Sequence, residues 1–298
     1  MAVSIGVGSV SALWRFPVKS MGGERLDRVD ISSAGLLGDR AFALIDTATG
    51  KVVSAKSVQL FAGILDCQAA FVEPPQAGRG LPPVRITLPG GSSVMSDAAD
   101  VHRRLSAHFG REVTLARSAP ADFTIDQYHP DVEGADPAGY RDTSVEQKLG
   151  SALFAQLGAP SPVAEGAFFD ASPVSVLTTS TLARLAELAP QSRWDERRFR
   201  MNVIIGTAEP GFLENDWIGK VVALGDMVRL RVTMPDPRCV MTTLAQGDVP
   251  NDTGILQAAV QHNRLPVMGG APAPCVGVYA VTEAGGTLRV GDSVALAP

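Results

Sequence analysis

Cys239 is the residue that its neighbours best place for chemistry. It lies in the stretch Met234-Pro235-Asp236-Pro237-Arg238-Cys239-Val240-Met241-Thr242-Thr243. A guanidinium beside a thiol favours the charged form of sulfur, so Arg238 is expected to support a thiolate at Cys239. Proline cannot donate to a ladder. Pro235 and Pro237 are therefore expected to end a strand over 228–234 and to hold Arg238 and Cys239 in an irregular loop. Most free cysteines are small buried hydrophobes, so the thiol decides nothing by itself.

The elements that must position this loop read as short strands. Apolar residues alternate, or nearly so, at 7–14, 25–31 and 41–45, and further strands fall at 65–72, 84–88, 93–95 and 114–116. Asp46-Thr47-Ala48-Thr49-Gly50 reads as a hairpin connection into a strand at 51–54. A helix is expected over 100–109, where Val101, Leu105 and Phe109 recur at one-turn spacing before Gly110. Residues 118–142 dissolve into Pro, Asp, Gly and Tyr and read as a surface connection, with a short helix over 144–157. Later strands are expected at 173–177, 203–205, 221–224, 276–281, 287–290 and 293–296, and a loop over 211–219. Helices are expected over 180–188 and after Asp252 as N-cap, the latter with Ile255, Leu256, Ala259 and Val260 on its apolar face. The result is an α+β, predominantly β chain, a barrel with helical decoration behind a β-rich N-terminal domain. Its expected division is 1–120, a connection over 121–145, and 146–298.

At 298 residues the chain can bury a large core, and 45% hydrophobic against 19% charged residues excludes extensive disorder. A net charge of −5 without any block of Lys and Arg argues against a nucleic-acid surface, though it leaves a local cationic pocket open. Three cysteines, Cys67, Cys239 and Cys275, make no disulfide framework and suit a reducing compartment. The start, M-A-V-S-I-G-V-G-S-V, lacks the charged region and long apolar core of a leader, and no apolar run approaches membrane-spanning length. A cytoplasmic protein with no membrane partner is expected. Gly6-Val7-Gly8 lacks the rest of a dinucleotide loop, and neither a phosphate-loop signature nor a G-x-S-x-G elbow occurs. His102, His108, His129 and His262 have no zinc spacing. An enzyme with this inventory would draw its reactivity from a bound cofactor.

Five separated stretches share one pattern. They are Phe16-Pro17-Val18-Lys19-Ser20, Gly38-Asp39-Arg40, Asp170-Ala171-Ser172-Pro173, Phe199-Arg200-Met201-Asn202 and Pro237-Arg238-Cys239-Val240-Met241-Thr242-Thr243. In this order they resemble the molybdenum cofactor sulfurase C-terminal (MOSC) domain family, in its two-domain branch with the mitochondrial amidoxime reducing component and bacterial relatives. Gly291-Asp292-Ser293-Val294 is similar to the family's terminal strand. The resemblance runs from about residue 10 to the end.

The resemblance implies a molybdenum–molybdopterin cofactor with Cys239 as the metal's protein ligand. A soft thiolate suits a thiophilic metal already held by a dithiolene. Lys19, Ser20, Arg40, Ser172, Arg200, Asn202 and Arg238 fall on positions that resemble the family's cofactor contacts, and four of these seven are cations, as an anionic ligand requires. Singly, each has an ordinary explanation: Arg40 could pair with Asp39, Arg200 with Asp195 or Glu196, and Ser172 could be a turn former. Two positions depart from the family pattern. Ser54-Ala55-Lys56-Ser57 stands where many relatives carry T-A-R-Q, so this segment is assigned no cofactor contact, and Met201 replaces a usual proline. The leading expectation is an oxidoreductase that reduces small N-hydroxylated substrates, amidoximes or hydroxylamines, with electrons from a separate reductase. Cys239 would hold the metal and Arg238 would tune the thiolate. A sulfur carrier using a persulfide on Cys239, or a cofactor-binding protein without turnover, are the alternatives.

Overall fold

A computed structural model describes residues 5–297; the first four residues and Pro298, where the expected domains begin and end, lie outside the described residues. Seven strands close into a barrel: β1 (Ile5–Arg15), β2 (Val174–Thr178), β3 (Val203–Gly206), β4 (Val221–Leu224), β5 (Val228–Pro237), β6 (Pro272–Ala284) and β7 (Ser293–Leu296). The ring runs β2-β3-β1-β7-β4-β5-β6, and β6 pairs back onto β2. Only β2 and β3 are parallel, and the connection between them carries α3 (Thr179–Leu188), as a parallel pair requires a crossover. Along β5, Val228, Leu230 and Val232 are buried while Arg231 and Thr233 are exposed, the period of a strand with one wet face. Those inward residues meet Leu13, Val176, Val203, Val278 and Trp217 in the barrel core.

A second core lies under the N-terminal lobe, around Phe42, Leu44, Ile64, Ile86 and Leu105. It is covered by a three-stranded meander (Gln68–Phe71, Val84–Thr87, Ser93–Met95), the pair Ala43–Asp46 with Val113–Ala116, and α1 (Val101–Phe109). Gly110 ends α1 at φ 62°, a left-handed turn that glycine takes without Cβ strain.

The predominantly β, α+β reading holds, with differences in detail. The chain crosses the division at 120 from the start, because β1 lies between β3 and β7 of the C-terminal barrel. Residues 118–142 are not all connection: Thr124–His129 pairs in register with Thr143–Lys148, so the expected helix over 144–157 is half strand, with α2 confined to Gly150–Leu157. Residues 51–54 form only the bridge Ile45 with Val52. β5 does not stop at Met234. Bulges on either side of Pro235 let the ladder with β6 pass through both prolines to the Pro237–Cys275 pair, since a bulge removes the need for their missing N–H. α4 (Gly254–His262) takes Thr253 as N-cap, one residue beyond the expected Asp252, whose Oδ1 accepts the Gly254 N–H at 2.9 Å. No helix among the described residues is long and apolar enough to cross a membrane.

Candidate functional site

At the end of β5 the chain turns through Arg238 and Cys239 into a short 3-10 segment, Val240–Thr243. Thr242 closes that turn by donating from its N–H and hydroxyl to the Cys239 carbonyl at 3.2 and 3.1 Å. The loop is bolted from behind by Arg198, which is fully buried and donates to the carbonyls of Arg193, Thr242 and Pro250 at 3.0, 3.1 and 2.8 Å. Cys239 is half-buried and is the one cysteine of three that reaches a cavity. Burial pushes the thiols of Cys67 and Cys275 up to about 12, so these two stay protonated.

Arg238 also braces the loop. Its Nε and Nη2 donate to the Val276 carbonyl at 2.9 and 2.6 Å, Nη1 donates to Phe199 at 3.1 Å, and Asp236 supplies the counter-charge. The guanidinium ties the end of β5 to β6 and to the Phe199 turn. Lys56, from the segment 54–57 that departs from the family pattern, shares a cavity wall with Cys239. Lys56 is only 8% exposed, and its ammonium bonds to Asp170 Oδ2 at 2.8 Å. Burial opposes its charge, but Asp170, Cys239 and Asp236 together outweigh burial and raise its pKa.

Two adjoining chambers meet at Lys56, Asp170, Asp236, Arg238, Met241 and Tyr279. The inner one, about 70 Å³, is lined by Lys19, Ser20, Arg40, Ser172, Arg200 and Asn202, all expected from the sequence. At roughly 30 Å³ per water it has room for a compact anion but not for a ring system. The outer one, about 480 Å³, takes in Cys239 and is walled by Tyr128, Tyr140, Leu149, Leu153, Met234 and Met268.

The inner chamber gathers five cations, Lys19, Arg40, Lys56, Arg200 and Arg238, against the carboxylates of Asp170 and Asp236. Two guanidiniums share one ring: Arg40 and Arg200 lie 4.7 and 4.2 Å from the Phe16 centroid, and Arg40 donates to the Arg200 carbonyl at 3.1 Å. Asp39 pairs with Arg40, whereas Arg200 has no acidic partner and its buried Nη2 has no acceptor. Burial and the neighbouring Arg40 both weigh against the charge of Arg200. A buried donor without an acceptor is costly, and an anion in the chamber would relieve it. Ser20, Arg40 and Arg200 also sit at φ 66°, 47° and 53°, three of the five non-glycine residues in the left-handed region among the described residues. Such strain gathers where a site is over-determined.

The polar residues divide by what they leave free. Asn202 is spent as a brace: Oδ1 accepts from the Ser175 N–H and hydroxyl at 3.1 and 3.0 Å, and Nδ2 donates to Asp39 at 2.9 Å. Ser172 donates to the Ala280 carbonyl at 2.8 Å and Ser20 accepts from the Ala55 N–H at 3.0 Å, so Ser172 keeps lone pairs and Ser20 keeps its proton. Lys19 donates to the Phe168 carbonyl at 2.9 Å and pairs with Asp170. Burial lowers Lys19 to about 8 against the pull of Asp170, with Lys56 and Arg40 adding to the fall. Above that value the chamber loses a positive charge. Sulfate, whose own charge does not vary in this range, is therefore expected to bind at least about tenfold more weakly at pH 9.5 than at pH 7, the worth of one charge-assisted hydrogen bond. Calorimetric titration checks this, and equal affinity at both values would remove Lys19 from the anion site.

The MOSC domain family model matches residues 163–295, and the MOSC N-terminal beta barrel domain model matches residues 7–62. No curated protein matches the sequence. Among solved structures, the crystal structure of the YuaD protein from Bacillus subtilis is similar at a TM-score of 0.45 and 12% identity, over 99% of this chain and 98% of that one. The two domain matches fall in the expected order and take in the lining of the inner chamber and the Cys239 loop, though not the part of the outer wall between Gln127 and Leu153, and the chain belongs to the MOSC family.

Proposed function

We propose that the protein is a molybdenum-cofactor-dependent oxidoreductase that reduces N-hydroxylated compounds, amidoximes and hydroxylamines, with electrons from a separate reductase. Membership of the MOSC family implies a molybdenum-cofactor-related function. The observation that carries the finer reading is the half-buried thiol of Cys239 where a cationic inner chamber opens into an apolar outer pocket.

The residues fit such a cofactor. Among the described residues no group of three or more His, Cys, Asp or Glu could hold a metal, so a metal here has to arrive with ligands of its own and take Cys239 as one more. The orphaned Nη2 of Arg200 and the unpaired, buried Asp236 Oδ1 offer a donor and an acceptor to a ligand with phosphate and ring N–H groups. Lys19, Ser20, Arg40, Ser172 and Arg200 would hold the anionic end, and Cys239 the metal. Bound there, the cofactor supplies two-electron redox chemistry. The chain supplies the rest. Lys56 keeps a positive charge in the wall it shares with Cys239, Arg238 and Arg198 hold the cysteine loop rigid, and the apolar outer walls orient a substrate and limit water.

The test is metal analysis together with turnover. Protein from a cofactor-competent host is expected to contain molybdenum and to reduce benzamidoxime with a reduced viologen dye. A cyanide-labile sulfur on Cys239 with no metal would favour the sulfur-carrier alternative instead, and metal without turnover would leave a binding protein.

A further inference from the structure

The wall of the outer pocket holds a second constellation. His129 ends the strand Thr124–His129, is 3% exposed and lines the pocket. Its Nδ1 faces Asp136 Oδ2 at 3.1 Å. Asp136 is itself pinned, because its Oδ1 accepts the N–H groups of Ala138 and Tyr140 at 2.8 and 3.3 Å. The Tyr140 ring lies 5.3 Å from the imidazole, and the loop is tied off by Tyr128 donating to Asp142 at 2.8 Å. A carboxylate fixed by two amides fixes the tautomer in turn: Nδ1 carries its proton toward Asp136, leaving Nε2 for the cavity. There Gln147 Nε2 approaches at 3.4 Å, a weak contact that a ligand can displace. The hairpin is joined to the cofactor chamber through the Lys56 segment. Tyr128 N–H donates to the Lys56 carbonyl at 2.9 Å, and the Ser57 hydroxyl donates to the Asp126 carbonyl at 2.6 Å. Lys56, His129 and Cys239 all line the outer pocket, and the charge of Lys56 bears on the imidazole.

We propose that His129, oriented by Asp136, donates a proton to the N-hydroxylated substrate in this pocket. The proposal rests on the reductase reading. For an amidoxime the change is R–C(NH2)=N–OH + 2e⁻ + 2H⁺ → R–C(NH2)=NH + H2O. The N–O bond breaks, the oxygen leaves as water, and the two electrons come from the external reductant, the bound cofactor being what would supply the redox chemistry. His129 Nε2 supplies one proton to the departing oxygen and is recharged from solvent, which also supplies the second. Asp136 is a positioning residue.

The groups facing His129 are Asp136 and Tyr140 from the loop, Lys56 from the segment beside it and the neutral Gln147 from the paired strand. Burial lowers its pKa, Asp136 pulls the other way, and Lys56 adds to the lowering. The active form is the imidazolium, so kcat for benzamidoxime is expected to fall as pH rises through a midpoint below about 6.5, the ordinary histidine value. His129→Gln is expected to lower kcat at acid pH by about 100-fold or more, the worth of a general acid, and to abolish that limb while KM hardly moves. Asp136→Asn, which keeps an acceptor for the two amides, should move the limb to lower pH with a smaller loss. As a readout independent of turnover, benzamidoxime added to the loaded protein should shift the His129 imidazole resonances in ¹⁵N NMR. Wild type that reduces benzamidoxime while both variants keep its kcat and pH limb, or an imidazole unmoved at saturation, overturns the proposal and leaves the reductase reading standing. Loaded wild type inert toward amidoximes and hydroxylamines overturns both.

Discussion

Cys239→Ala is expected to fold normally and to lose its molybdenum. The Cys239 side chain is half-buried and carries no structural hydrogen bond, while its backbone carbonyl, which closes the Val240–Thr243 turn, survives the substitution. The stability cost is expected to stay near about 1 kcal/mol, the centre of the range for point substitutions. The loss of metal is expected to be far larger. Removing an outer partner of a ligand commonly costs roughly 10–100-fold in affinity, and here the one cysteine on the pocket wall would go. Elemental analysis of wild type and variant, purified in parallel from the same host, decides the matter. Equal molybdenum in both would end the assignment of Cys239 as a metal ligand.

Asp170→Ala is expected to be the most destabilising single change in the site. The carboxylate is the shared counter-ion of Lys19 and Lys56, whose side chains are 7% and 10% exposed. Removing it leaves two ammoniums packed together without compensation. Breaking a buried pair costs about 3–5 kcal/mol, and since Asp170 is itself 27% exposed the lower end applies. The acid dependence follows from the sign of its shift. Burial opposes the charge of Asp170, but Lys19 and Lys56 override burial and hold its pKa well below the usual carboxylate range. Its contribution is fully present above the unfolded value near about 3.9 and is lost as pH falls from there toward the folded value. Urea titrations should therefore show a wide gap between wild type and variant at pH 7 that narrows below pH 4. A gap that stayed constant through that range would mean that the ion triad is not its source.

The parts of the site legible in the sequence were those carried by short contiguous motifs. Lys19, Ser20, Arg40, Ser172, Arg200 and Asn202 meet around one chamber although 183 positions separate Lys19 from Asn202. What was not legible depended on facts that a motif does not carry. Lys56 has an ammonium in place of arginine's planar fork, yet burial against Asp170 makes its charge the useful property. Arg197 and Arg198 are indistinguishable in a run of charged residues. One step of backbone rotation sends Arg197 outward to Asp195 and Asp248 and sends Arg198 inward to three carbonyls. The strand Thr124–His129 was hidden because its partner begins 14 residues later, beyond a loop of Pro, Asp and Gly, and because both strands are largely polar. His129 went with it.

The position of β1 orders events in time. It is synthesised well before both of its barrel neighbours, β3 and β7, which begin at Val203 and Ser293. At roughly 5–20 residues per second, about 15–60 s separate the emergence of the first stave from that of the last. Until then the ring stays open and an apolar strand edge stays bare. Lys19 and Ser20 follow the end of β1 by only four and five residues. Assembly of the anion chamber is therefore tied to a ring closure that cannot precede the synthesis of β7. Loading of the proposed cofactor has to wait for β7, and a nascent-chain complex stalled before β7 should be unable to retain it.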